Sequence, residues 1–356
     1  MLDYPIGFGL LGAGLVAPFH AKALKNSGKG KLVAVADVDG ERARKLGEEF
    51  GCKAYGSLEE MLGDPAVQCV NVLTPNAYHY DAVMAAAQAG RHVLVEKPPA
   101  MSLRETDSMI ATCAERGVKL GIVLQCRVRK PIQAMKRALA EGRLGRPLMC
   151  SAYMKWFRSI DYYRSDAWRS SRKSGAGVTI QHAFHYLDLC QYLMGPAKRV
   201  EARMENLAHP EVALEDTLIA TIDWQNGAMG VAEASTALWP GTDIRIELNG
   251  VDGTAIMIGE RMATWKLREE QPEDEEIRQY GSASVGTAAT GPADFAFFDH
   301  QVVIDDMAAA IVEDREPCIP AASVRPTLEM ALAMYLSAKQ GCPVELPLVS
   351  EEGIFE

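Results

Sequence analysis

The stretch that most limits what this chain can become lies near its start: Gly9-Leu-Leu-Gly12-Ala-Gly14-Leu15-Val16-Ala17. An apolar run, residues 6–11, leads into it, and a helical pattern, Phe19-His-Ala-Lys-Ala-Leu24, leads away. Strand, glycine turn and helix with the spacing G-x-G-x-x-A set backbone N–H groups and the positive end of a helix against a pyrophosphate. Gly12 makes the tight turn, Gly14 leaves room for the phosphates, and Ala17 lets helix and strand pack closely. Glycine turns of this kind also occur in purely structural loops, so the context decides. Here Leu32-Val-Ala-Val-Ala-Asp37 reads as the next strand and ends in an acid, at roughly the ~20-residue offset of a ribose-binding carboxylate. The expectation is a dinucleotide site built from Gly12, Gly14, Leu15, Val16, Ala17 and Asp37. NAD is favoured over NADP, because a carboxylate at 37 repels a 2′-phosphate; Arg42 stands near enough to weaken that preference.

Up to residue 124, short apolar runs (6–11, 32–37, 53–55, 69–73, 92–96, 120–124) alternate with helical patterns (17–25, 41–50, 58–62, 78–89, 103–116). Strands that alternate with helices imply α/β architecture with a doubly wound parallel sheet, a Rossmann arrangement. Such sheets bind ligands outside the carboxyl ends of their strands. The glycine turn, Asp37, Thr74-Pro75-Asn76 and Glu96-Lys97-Pro98-Pro99 should therefore gather at one edge.

From Pro131 the pattern changes. A helix (131–142) and an extended run (148–157) precede a polar, aromatic and arginine-rich loop from Arg158 to Arg169. Gly175-Ala-Gly177 comes before a helix over 181–194, stopped by Gly195-Pro196. Five strand-like runs follow (199–207, 217–223, 228–234, 244–248, 254–258), with Asn226-Gly227 and Asp252-Gly253 as turns, which points to an open, mainly antiparallel sheet. Residues 281–291, small and polar, read as a mobile loop, and helices are expected over 295–312 and 324–338. A chain of 356 residues suits two domains, here 1–124 and 125–356.

Composition removes several classes of function. A net charge of −10 argues against a nucleic-acid partner. No apolar run reaches the ~18–20 residues that span a bilayer, so no membrane role is expected. The N-terminus lacks the basic and apolar segments of an export leader. The eight cysteines are scattered without C-x-x-C or a Cys/His zinc spacing, as in a cytoplasmic protein with reduced thiols.

Three groups of residues could do chemistry. Lys97, at a strand end beside a bound nicotinamide, would be partly desolvated and near a positive ring, which favours its neutral form. It could then share or take a substrate proton, or when charged stabilise an alkoxide; the plain alternative is a surface lysine. His182 and His185 stand three apart at a helix start, where imidazole stays neutral and can act as a base. A lone histidine is more often a satisfied core residue, and no carboxylate completes a compact ligand set, so no metal is expected. The loop with Tyr162, Tyr163, Trp168, Arg158, Arg164 and Arg169 suits a sugar ring on an aromatic face with hydroxyls or an anion held by arginine, or else a solvated loop packed on the second sheet.

These motifs resemble the glucose–fructose oxidoreductase/inositol dehydrogenase/rhizopine-catabolism (Gfo/Idh/MocA) family. The G-x-G-x-x-A turn, Asp37, Glu96-Lys97-Pro98, Gly175-Ala-Gly177 with His185-x-x-Asp188, Asp216-Thr217 and His300-Gln301 with Asp306 carry the likeness along nearly the whole chain. The resemblance implies a Rossmann domain and a C-terminal α/β domain whose open sheet forms a homodimer or homotetramer interface. It also implies NAD-dependent oxidation or reduction at a hydroxyl of a sugar, an inositol or a sugar derivative. Lys97 and His185 match the family's catalytic lysine and histidine; Thr74, Asn76, His79 and Glu96 match positions lining the nicotinamide; Arg127 matches an arginine near the substrate. Gln181 stands where many members carry an aspartate, and glutamine cannot take a proton at neutral pH. The proton then falls to His185 or Lys97. Members acting on nucleotide-linked sugars or uronic acids are similar in placing an amide there. Gln181, His182, Arg127, Arg164, Trp168 and Arg169 are the substrate candidates. Two other readings stay open: a glycosidase or lyase using NAD transiently, and a non-catalytic cofactor-binding regulator.

Overall fold

The computed structural model describes residues 3–175, 177–281 and 296–355. Its internal contacts divide the chain into two units, Met1–Gln125 with Ala296–Arg325, and Cys126–Phe295 with Pro326–Glu356. A single break after residue 124 therefore misses one segment, which returns to the first unit. The reason lies in the ladder: Leu120–Val123 is an edge strand, and its Ile122 N–H donates to the Ile319 carbonyl at 2.9 Å. A late segment thus covers backbone groups that an open edge would leave unpaired.

The first unit runs β1 (Ile6–Leu11), α1 (Ala17–Asn26), β2 (Gly30–Ala36), α2 (Gly40–Phe50), β3 (Lys53–Tyr55), α3 (Leu58–Leu62), β4 (Cys69–Val72), α4 (His79–Gln88), β5 (His92–Glu96), α5 (Leu103–Glu115) and β6 (Leu120–Val123). The sheet order is β3-β2-β1-β4-β5-β6, parallel throughout. Every residue of β1 and β4 is buried, as a parallel strand covered on both faces requires. The order reverses between β1 and β4, so their carboxyl ends flank the topological switch point where ligands sit in such sheets.

The second unit comprises α6 (Lys130–Ala140), β7 (Pro147–Lys155), α7 (Ile160–Arg164), α8 (Val178–Gln181), α9 (Phe184–Met194), β8 (Ala197–Glu205), β9 (Thr217–Trp224), β10 (Met229–Ser235), β11 (Arg245–Gly250), β12 (Gly253–Ile258), β13 (Arg261–Leu267) and α10 (Asp274–Arg278). Then come α11 (Phe298–Val312) in the first unit, α12 (Ala321–Gln340) and β14 (Val344–Glu345). The sheet order is β13-β12-β11-β7-β10-β9-β8-β14. All neighbours are antiparallel except β7 and β10. One face packs inward through Ala152, Ala220, Ala232 and Ile246. The other exposes Met149, Met229 and Ile219, and Met149 and Met229 are register partners.

Two departures bear on the site. The helix expected over 181–194 is two helices, with His182 and Ala183 between them, so His182 and His185 do not share one helix face. Of the stretch 281–291, only Gly281 lies within the described residues.

Candidate active site

In the first unit the glycine turn closes over the end of β4. Gly12 has φ +105°, and a Cβ there would stand 2.9 Å from the Leu73 carbonyl oxygen, so only glycine fits. At Gly14 a Cβ would meet nothing within 4 Å. Leu15 is half-exposed, Val16 begins α1 with no side-chain cap, and Ala17 is fully buried against the sheet. Asp37 Oδ2 accepts the Ala13 N–H at 2.7 Å and Oδ1 the Asp39 N–H at 2.8 Å. Each oxygen keeps a lone pair for a ribose hydroxyl. Arg42 lies 3.3 Å from the Asp39 carboxylate. Thr74, whose N–H borders Gly12, carries a buried hydroxyl oxygen with no hydrogen-bond partner among the described residues. Open space over Gly14, an uncapped helix start and an unsatisfied hydroxyl beside them fit the phosphates and sugar of a dinucleotide.

The loops that follow β4 and β5 are braced from below. His79, fully buried, meets the Pro98 carbonyl through Nδ1 at 2.8 Å and the Thr74 carbonyl through Nε2 at 2.9 Å. Burial lowers its pKa, against the pull of the two carbonyls. These contacts let His79 brace both loops, its single N–H in the neutral ring donating to one of the two carbonyls. Glu96 takes His20 Nε2 on Oε1 at 3.1 Å and the Lys97 N–H on Oε2 at 3.2 Å. Burial pushes this carboxyl up, but His20, Lys97 and His300 outweigh it and hold it at about 2. Glu96 is thus an anion fixed directly beside Lys97. Asn76, three residues before His79, is buried. His20, Glu96 and His300 present ligand atoms within 4.8 Å of one another, a spacing that could take a cation.

In the second unit the candidates divide. Arg127 is buried in a bidentate pair with Asp188, Nε to Oδ2 at 2.7 Å and Nη2 to Oδ1 at 2.6 Å, and Thr327 donates to the same carboxylate at 2.8 Å. Its Nε and Nη2 thus belong to a buried ion pair within the second unit. Arg164 is exposed and pairs with Glu211. Gln181, Trp168 and Arg169 instead converge on Tyr162. Gln181 Nε2 donates to the Tyr162 hydroxyl at 3.2 Å and Arg169 Nη1 at 2.8 Å, and the Arg169 guanidinium lies 4.7 Å from both the Tyr162 and Trp168 ring centroids. His182 packs against Tyr162 at 5.6 Å and Trp156 at 6.2 Å. Trp156 meets Tyr186 at 5.8 Å, and His185 lies 6.2 Å from the same tyrosine. A run of aromatic contacts therefore joins the arginine loop to His185 within this unit.

Two residues outside the sequence-derived substrate candidates organise this region. Tyr162 is the hub just described. Glu215, fully buried, accepts the Thr179 N–H at 3.1 Å and the Tyr335 hydroxyl at 2.6 Å, and a Cβ at Gly177 would fall inside its carboxylate. Glu215 thereby fixes the start of α8, which carries Gln181. The Asp216-Thr217 pair marks this neighbourhood in the sequence, but nothing there points to the residue before it.

A parallel sheet in the order 3-2-1-4-5-6, a glycine turn open to a phosphate and a lysine after β5 define an NAD-binding oxidoreductase. Comparison with known proteins agrees. Residues 6–123 match the oxidoreductase family with an NAD-binding Rossmann fold, and residues 132–256 match the GFO/IDH/MocA C-terminal domain. A 1,5-anhydro-D-fructose reductase from Ensifer adhaerens is 31% identical over 73% of this chain and 77% of its own length. The WlbA dehydrogenase from Bordetella pertussis, solved with NADH and UDP-GlcNAcA, superposes with a TM-score of 0.90 at 30% identity over 98% of this chain and 99% of that one. A 2,7-anhydro-N-acetylneuraminate hydratase from Mediterraneibacter gnavus is 27% identical over 76% of this chain and 75% of its own length. The chain belongs to the Gfo/Idh/MocA family of oxidoreductases. It is an oxidoreductase with an NAD-binding Rossmann domain.

Proposed function

We propose that Lys97 and His185 are the catalytic pair, with His185 the base that takes the proton of the substrate hydroxyl and Lys97 the cation that holds the resulting oxygen. NAD⁺, when bound, would supply the hydride acceptor; His185 would take the O–H proton as the substrate carbon gives up its hydride and becomes a carbonyl. Gln181 can hydrogen-bond a hydroxyl but cannot act as base, which leaves the proton to His185. The observation that carries this assignment is the Glu96 carboxylate, which accepts the Lys97 N–H at 3.2 Å and so fixes Lys97 directly after the carboxyl end of β5, the edge where such sheets bind ligands. Gly12, Gly14, Leu15, Val16, Ala17, Asp37, Thr74 and Asn76 hold the cofactor. Exposed Met149, Met229 and Ile219 on the outer sheet face support self-association through that face. No helix among the described residues is long and apolar enough to cross a membrane, and the scattered free thiols agree with work in the cytoplasm.

The test is a panel of aldoses, inositols, uronic acids and nucleotide sugars, with NADH formation followed at the nicotinamide band for the parent and for Lys97→Ala. At least one substrate should give stoichiometric NADH, and Lys97→Ala should lower kcat by about 10³-fold, in the range of a lost oxyanion-stabilising donor. Aglycone or dehydration product without accumulated NADH would favour transient oxidation, the reading that likeness to a hydratase supports. Unchanged turnover in Lys97→Ala would remove the catalytic pair.

A further inference from the structure

Between residues 158 and 173 the chain places five basic side chains against two acidic ones, in a protein whose net charge is −10. Two of these arginines are buried: Arg158 and Arg169 are 4% and 6% exposed. They flank one ring, with Arg158 Cζ 5.6 Å and Arg169 Cζ 4.7 Å from the Tyr162 centroid, and Arg158 also lies 4.9 Å over Trp156. Arg158 gives Nη1 to the Phe157 carbonyl at 2.7 Å, and stacking on the Tyr162 and Trp168 rings leaves the edge of Arg169 turned to in-plane hydrogen bonds.

The donors here outnumber the acceptors. A guanidinium has five N–H groups. Among the described residues, those of Arg169 find the Tyr162 hydroxyl at 2.8 Å and a long contact from Nε to Asp166 at 3.4 Å. Tyr162 in turn accepts from both Arg169 and Gln181, so its own proton remains to be donated outward. Trp156 adds a buried indole N–H with no acceptor among the described residues. Burial without acceptors is costly for such groups, and a charge-assisted bond to an oxyanion is the strongest relief.

We propose that Arg169 and Tyr162, flanked by Arg158 and Trp168, form an oxyanion subsite that recognises an acidic group, carboxylate or phosphate, on the sugar substrate. The inference rests on the dehydrogenase reading and extends it to substrate class. Arg169 offers a pair of parallel N–H bonds, Tyr162 a third donor, and the Trp168 face a wall for the sugar ring. A neutral sugar would leave these donors unsatisfied and be discriminated against on that account.

The test is equilibrium binding by titration calorimetry to the NADH-loaded protein, using a hexuronate, a hexose 1-phosphate and the parent hexose, with UDP-linked hexuronate and UDP-linked hexose as a second pair. At least one acidic ligand should bind about 10-fold or more tightly than its neutral partner. Discrimination between hexuronate and hexose, free or UDP-linked, assigns the group to a carboxylate; discrimination by the 1-phosphate alone assigns it to a phosphate. Arg169→Gln should abolish the preference, and Tyr162→Phe should reduce it several-fold while neutral ligands change by less than about two-fold. Where Arg169→Gln fails to fold, Tyr162→Phe keeps the stacked ring and carries the test. Equal binding or no binding across both pairs, or equal losses on acidic and neutral ligands, overturns the subsite. A preference for acidic ligands that never yields NADH would instead count against the dehydrogenase reading.

Discussion

Two glycine loops, one in each unit, look alike in the sequence and do opposite things in the fold. Gly12-Ala13-Gly14 and Gly175-Ala-Gly177 each precede a helix. At Gly14 the space where a side chain would begin is empty for 4 Å. At Gly177 the same space holds the Glu215 carboxylate, which accepts the Thr179 N–H at 3.1 Å. One loop leaves its backbone open to a ligand, and the other sets its backbone against the protein's own carboxyl group. A glycine motif therefore announces a close approach to backbone, and only the surroundings tell whether a ligand or a residue makes it.

The sharpest way to break this contrast is to add a side chain at each position. Gly14→Val should leave the thermal midpoint of the cofactor-free protein within about 2 °C, because none of the described residues occupies that space, while weakening NADH by on the order of 100-fold, or about 2.7 kcal/mol. Fluorescence titration with NADH and a melting curve on the same sample read both quantities. A large fall in apo stability would mean that the turn is packed, and not open.

Gly177→Ala should behave in reverse. Its Cβ would enter the Glu215 carboxylate, so overpacking and a displaced buried anion should cost about 2–3 kcal/mol in urea unfolding. NADH affinity should stay within about two-fold. Full stability in this variant would show that the loop can shift away, and the assignment of Glu215 as the resident anion would fall.

What the sequence could and could not disclose follows the same division. The first unit was legible because its signals are local: apolar runs at strand length, helical spacing between them, and a turn whose glycines act within a few residues. β1, β3 and β5 begin and end where the runs do. Pairings across long separations were not legible. The ion pair that Arg127 makes with Asp188, 61 residues on, has no local mark. Nor do the carbonyls of Thr74 and Pro98 that bracket the His79 ring. The break at His182 carries no glycine or proline to mark it, and β14, at two residues, is too short for any periodicity to show. The arginine loop was recognisable by composition, yet only three-dimensional contacts single out Tyr162 as the group on which Arg169 and Gln181 meet.

The smallest expected effect probes the resident anion by its charge. Burial raises the pKa of Glu215, opposed by hydrogen bonds from Tyr335 and Thr179. A carboxyl with a raised folded-state pKa binds its proton more tightly in the fold than in the unfolded chain. Its contribution is therefore complete below the unfolded value of about 4.3 and is lost as pH rises through the folded value. Glu215→Gln keeps the oxygen that accepts from Thr179 and Tyr335 but cannot ionise. Urea midpoints measured from pH 4 upward should show the parent protein losing stability relative to this variant as pH increases. Parallel curves across that range would mean that Glu215 does not change its protonation there, and the role of burial in holding its proton would fall.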